Sequence, residues 1–119
     1  MKQGEIWLIN LNPSVGAEIN KTRLAVIVND NSPGILPLKI IVPITEWKSK
    51  YEIAPWFVKI EALTTTGLNK ISGADCFQIR SVSNSRVVKK IGTLDPDKMD
   101  KIRVALSLVL SMQAFETGE

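Results

Sequence analysis

The chain has 119 residues, the size of one ordinary domain, with 45% hydrophobic and 23% charged residues. Such a chain buries roughly two-thirds of its unfolded surface and folds without a covalent staple. A single cysteine, Cys76, excludes an internal disulfide, and the absence of histidine excludes imidazole as proton shuttle or metal ligand. The net charge of +3 permits an acidic partner without requiring one.

No signal-peptide pattern precedes the first strand-like run, and no apolar stretch approaches the ~20 residues that span a bilayer. The expectation is a cytoplasmic chain without membrane contact. Glu5-Ile6-Trp7-Leu8-Ile9-Asn10 reads as a strand, closed by the turn-prone Asn12-Pro13. Residues 14–22 are polar, contain Gly16 and suit a loop. Leu24-Ala25-Val26-Ile27-Val28 is continuously apolar, the pattern of a strand buried on both faces. Asn29-Asp30-Asn31-Ser32-Pro33-Gly34 is turn chemistry.

Residues 38–45 form the next predicted strand. Pro43 has no N–H to give a ladder, so the strand is expected to lie at an edge or bend there. A loop bearing Trp47, Tyr51 and Trp56 follows, then strands over 57–60, 74–80 and 87–91, with Ser83-Asn84-Ser85 turning between the last two. Asp95 is a good N-cap and Pro96 suits a first helical turn. Met99, Ile102, Leu106, Val109 and Leu110 repeat at helical spacing, predicting a helix from 96 to about 115. Val104, Leu108 and Met112 widen its apolar surface, and a helix apolar on more than one face needs more than one neighbour. Sequential strands with short connections and a terminal helix predict one α+β domain over 1–119, mainly antiparallel.

With histidine absent, chemistry falls to carboxylates, Arg, Lys and hydroxyls. Arg23 opens the most apolar strand, after a loop bearing Glu18 and Lys21, and Thr45 ends the strand that holds Pro43. Taken alone, each reads as an ordinary solvated or strand residue. Trp47, Tyr51 and Trp56 stand among Lys48, Lys50 and Lys59, an interleaving that suits single-stranded nucleic acid and equally suits packing against protein.

The wider pattern gives these residues a context. Gly4-Glu5-Ile6-Trp7, Asn12-Pro13-Ser14-Val15-Gly16-Ala17-Glu18 and Lys21-Thr22-Arg23-Leu24-Ala25-Val26-Ile27-Val28 together resemble the opening of the MazF/PemK toxin family. Val42-Pro43-Ile44-Thr45 resembles its next block. Gly67-Leu68 with Ser72, then Gln78-Ile79-Arg80 and Lys90-Ile91-Gly92-Thr93-Leu94, resemble its C-terminal half.

The resemblance implies a compact β-barrel-like fold with a C-terminal helix, assembled as a homodimer. It implies sequence-specific, metal-free cleavage of single-stranded RNA, no cofactor, and neutralisation by a small antitoxin protein. The family's catalytic Arg falls on Arg23, its phosphate-contacting Thr on Thr45 and the acid of its first loop on Glu18. Lys21, Asp75 and Gln78 are the accompanying candidates for RNA contact.

The chemistry is consistent with that assignment. Attack of a ribose 2′-OH on the adjacent phosphorus requires positioning, proton movement and stabilisation of charge on the phosphoryl oxygens. Arg23 offers a permanent cation with a planar fork of donors, Thr45 a neutral hydrogen bond, and Glu18 a proton acceptor. Two residues depart from the family pattern: Leu24 stands where many relatives have Pro, and Phe77 where they often have an acid. On a strand, Asp75 would share the face of Phe77 and partly replace that acid. Two other readings stay open: a non-enzymatic, CcdB-like poison, and a weakened member that binds RNA or antitoxin without cutting.

Overall fold

The computed structural model describes residues 1–12, 22–32 and 36–112. The loop carrying Glu18 and Lys21 lies outside the described residues. Among these, the strands are β1 (Glu5–Asn10), β2 (Thr22–Ile27), β3 (Leu38–Glu46), β4 (Phe57–Ile60), β5 (Ser72–Asp75), β6 (Arg80–Ser83) and β7 (Val87–Thr93). One helix, α1 (Pro96–Val109), follows. The strands form an antiparallel sheet in the order β4-β5-β3-β2-β1-β7, with β6 also on β3. The architecture is α+β and mainly antiparallel as expected, and the barrel-like sheet is open.

The apolar run in β2 is buried on both faces. Val26 joins a core with Ile6, Val42, Ile44, Val58 and Ile60, capped by Met99, Ile102 and Ala105 of α1. Ala25 and Ile27 face the other way, into a smaller cluster with Ile9, Leu11, Ile41 and Val82. Strand alternation sends successive residues to opposite faces, so a continuous apolar run feeds two cores at once.

β3 is an interior strand, which excludes the first of the two readings of Pro43, an edge position or a bend. One edge of β3 pairs with β6 as far as Ile41↔Arg80 and with β5 from Ile44↔Ala74. Between those ladders the neighbouring chain leaves the sheet as a single turn, Cys76–Gln78. Pro43 stands beside this interruption, where no ladder partner awaits an N–H on that edge. The same turn corrects the predicted strand over 74–80. Asp75 ends β5 and its carboxylate accepts the Phe77 N–H at 3.1 Å. Phe77 belongs to the turn, so the two residues do not share a strand face.

Asp95 caps α1 by accepting the Lys98 N–H at 2.9 Å, with Pro96 in the first turn. The helix stops at Val109, short of the expected 115. Ser111 takes φ +54°, and the Ser111 and Met112 N–H groups bond back to Leu108 O and Ser107 O at 3.2 and 2.7 Å. This closure usually signals itself with glycine, and here a serine occupies the left-handed position.

Two contacts tie flanking segments to the sheet, one at the chain's start and one at the loop before β5. Glu5 accepts the Lys2 N–H at 2.8 Å and Trp7 Nε1–H at 3.0 Å, and pairs with Lys90 Nζ at 3.0 Å. Burial pushes this carboxyl up, but the hydrogen bonds and the Lys90 charge outweigh burial and hold its pKa at about 2. A depressed folded pKa stabilises above the unfolded value of about 4.3, and the gain disappears as pH falls through the folded value. Glu5 is therefore expected to contribute roughly 3 kcal/mol at neutral pH, lost between about pH 5 and pH 2. Denaturant midpoints of wild type and Glu5→Gln across that range check this. Curves that stay parallel down to pH 2 would contradict it.

Gly92 marks the second contact. A Cβ there would collide with the Thr66 carbonyl and stand 2.6 Å from Thr65 O, backbone atoms that cannot swing aside. Thr66 is buried, and its hydroxyl is bonded within the loop, to Glu61 O and Leu63 O at 3.0 Å each. Gly92→Ala is expected to destabilise by about 2–4 kcal/mol through this overpacking. Thermal unfolding would read that as a melting point lower by roughly 10 °C or more.

Candidate active site

β2 and β3 pair from Ile27↔Ile41 to Ala25↔Pro43, and there the two strands part. Continued by one step of alternation, the register would set Arg23 opposite Thr45 on one face of the sheet. Instead, Arg23 pairs with Ile9 of β1 and Thr45 with Gly73 of β5. The separation opens a cleft of about 530 Å³ with Arg23 and Thr45 on its walls.

Leu8, Leu24, Ile44 and Leu68 give the cleft an apolar lining. Thr22, Asn69 and Ser72 add neutral polar groups, and Lys48, Lys70 and Glu46 add charge. Three cations against one carboxylate make the walls net positive. Glu46 and Lys70 pair at 3.7 Å with both side chains largely exposed, a contact worth little in water. Arg23 is exposed and makes no hydrogen bond or ion pair among the described residues, and the Thr45 hydroxyl is likewise unpartnered. An unpaired guanidinium beside a free hydroxyl can take an anionic oxygen without breaking an existing bond.

The cleft brings together two of the residues singled out from sequence, Arg23 and Thr45. Asp75 and Gln78 stand away from its walls, at the turn beyond β5. The Asp75 carboxylate is raised by burial, partly offset by the Phe77 N–H, which is the environment of a turn cap. Phe77 is 65% exposed, with its ring edge-on to Trp56 at 5.8 Å, and also lies off the cleft. The aromatic residue at this position therefore removes no group from the cleft walls. Cys76 is fully buried, its thiol pushed up to about 12 by burial and by Asp75, and is chemically inert.

Lys48, one of the cations interleaved with the loop aromatics, lines the cleft, as do Glu46, Asn69 and Lys70, which were not legible as site residues. Asn69 and Lys70 arrive from a loop more than twenty positions after Thr45, brought in because β5 pairs with the end of β3. That loop is anchored by Gly67, at φ +71°, whose Cα packs on the Ile91 backbone too closely for any side chain. The only local hint is the Gly67-Leu68 pair, a turn followed by an apolar wall residue.

The family profile described as PemK-like, MazF-like toxin of type II toxin-antitoxin system matches residues 2–110. Endoribonuclease MazF9 of Mycobacterium tuberculosis is 32% identical over 118 residues, covering 94% of this chain and 98% of that protein. Endoribonuclease EndoA of Bacillus subtilis is 33% identical over 116 residues, covering 97% and 98%. A solved endoribonuclease in complex with its cognate antitoxin, from Mycobacterial species, is similar in fold with a TM-score of 0.74. Its identity is 16%, over 97% of this chain and 99% of that one.

Proposed function

The chain belongs to the PemK-like, MazF-like toxin family, and from that membership we propose that it is an endoribonuclease that cuts single-stranded RNA without a metal. Nuclease activity is supported by two named endoribonucleases at 32% and 33% identity over nearly the whole chain. The observation that carries the mechanism is the parting of β2 and β3, which sets Arg23 and Thr45 on one net-positive cleft.

In this reading the ribose 2′-OH attacks the adjacent phosphorus and expels the 5′-oxygen. The Arg23 guanidinium holds the non-bridging oxygens as charge accumulates on them, and Thr45 adds a neutral donor. Glu18 takes the 2′-OH proton, and Lys21 holds the strand nearby. Asp75 and Gln78, off the cleft, would meet RNA only along a path that continues past β5. With no histidine and a single cysteine, the chain lacks the usual ligands of a zinc site.

The toxin acts as a homodimer, restrained by a small antitoxin. Val104, Leu108 and Met112 are more than half exposed on and just after α1, an apolar surface that a second copy would cover. An acidic, flexible antitoxin segment would fit the positive cleft and exclude RNA from it. No helix among the described residues is long and apolar enough to cross a membrane.

Incubation with a long single-stranded RNA tests the proposal. Discrete fragments that persist in EDTA are expected. Intact RNA would favour the two non-cutting readings, a CcdB-like poison or a weakened member that only binds, and cleavage abolished by EDTA would overturn the metal-free mechanism.

A further inference from the structure

The sheet face that carries Thr45 does not end at the cleft. Trp47 lies two residues further along the same chain, about 7 Å away, with its N–H donated to Ile71 O at 3.0 Å so that the ladder continues. Trp47 meets Tyr51 edge-on at 5.7 Å and Phe57 edge-on at 6.4 Å, while Tyr51 and Phe57 stack at 3.8 Å and 7°. These half-buried rings cover the outer face of β3, β5 and β4, whose other face is already packed into the core by Ile44, Ala74, Val58 and Ile60.

Gly73 holds this aromatic surface against the sheet. It is the strand partner of Thr45, and a Cβ on it would stand 3.0 Å from the Trp47 ring and 3.1 Å from Phe57. A Cβ there would crowd both rings, which would have to give by a few tenths of an ångström. Cations frame the rings: Lys59 Nζ lies 5.3 Å from the Trp47 ring centre and Lys50 Nζ 5.8 Å from that of Tyr51. Lys48, between Trp47 and Tyr51 in sequence, lines the cleft itself. Glu52 pairs with Lys59 at 3.8 Å with both side chains substantially exposed.

We propose that the Trp47–Tyr51–Phe57 surface, with Lys48 and Lys50 at its edge, is a second subsite that holds nucleotides flanking the cleaved bond of a single-stranded RNA. The inference rests on the RNA-cleaving reading above and extends it. Every base has a π-face, so rings beside cations bind single strands with little regard to sequence. Lysines at a surface continuous with the cleft carry the backbone charge onward from Arg23. The subsite thus supplies length and affinity, and leaves sequence choice to the cleft.

The test uses the full chain with Arg23→Ala, to prevent cutting, and a labelled single-stranded RNA that wild type cleaves. Adding Lys48→Ala and Lys50→Ala is expected to weaken binding about tenfold and to flatten the salt dependence by about 1.4 in log–log slope, two single-strand phosphate contacts. Trp47→Ala is expected to weaken binding about five- to hundredfold, the loss of one stacked base. If that variant fails to fold, Trp7→Phe with Trp56→Phe leaves Trp47 as sole emitter, and saturating RNA should quench it. An unchanged salt slope, or unchanged Trp47 emission, with RNA that wild type still cuts would overturn the subsite alone. RNA neither cut nor bound by wild type would overturn both the subsite and the nuclease reading.

Discussion

Arg23→Ala is expected to lower RNA cleavage by about a hundredfold or more while leaving the fold intact. The two halves of that statement have separate causes. Arg23 is exposed and unpartnered among the described residues, so its removal breaks no bond that holds β2 in place. Stability should shift by no more than about 0.5 kcal/mol, as for other surface changes of this kind. The reaction is another matter, because charge gathers on phosphoryl oxygens chiefly in the transition state, and a cation placed there lowers the barrier selectively. Arg23→Lys is expected to recover only part of the rate, since a point charge cannot reproduce two parallel donors. Thr45→Ala should cost less than Arg23→Ala, because it deletes a neutral bond of about 1 kcal/mol. Single-turnover rates with circular dichroism on each variant separate these effects. A folded Arg23→Ala that cuts at the wild-type rate would remove Arg23 from the mechanism.

Arg23 and Thr45 could be read from the sequence because each sits where an apolar run meets a polar loop, in blocks whose order resembles one family. The cleft between them was not legible. It arises from a change of partners, with β2 leaving β3 after Ala25↔Pro43 and β5 joining β3 from Ile44↔Ala74. Such a change depends on long-range pairing, which local pattern does not encode. The same limit hid Asn69 and Lys70. Asp75 shows a different failure: alternation along 74–80 would have set it beside Phe77, but a three-residue turn intervenes and the carboxylate caps that turn. The helix end was missed for want of glycine, because Ser111 adopts the left-handed conformation that glycine usually supplies. Glu18 and Lys21 lie outside the described residues, and their roles rest on the family resemblance.

A substrate with one 2′-deoxy nucleotide on the 5′ side of the scissile bond is expected to resist cleavage almost completely. The proposed nucleophile is that hydroxyl, and deleting it removes the attacking atom while leaving phosphates, bases and the Arg23 contact in place. Binding should therefore persist, within about threefold, since one neutral hydroxyl contributes at most about one hydrogen bond. The combination of retained affinity and lost turnover distinguishes internal attack from attack by water. A water nucleophile would cut the deoxy site at nearly the normal rate and leave a simple phosphate at one end. Internal attack leaves a 2′,3′-cyclic phosphate on one product and a 5′-OH on the other, because the 5′-oxygen departs with the downstream fragment. End-group analysis by mass spectrometry reads both ends at once. The intramolecular route also explains how a chain without histidine can suffice: the nucleophile is already held next to phosphorus, so the protein need only fix the angle and stabilise charge. Cleavage of the deoxy substrate at the wild-type rate would overturn this mechanism, even with Arg23 essential.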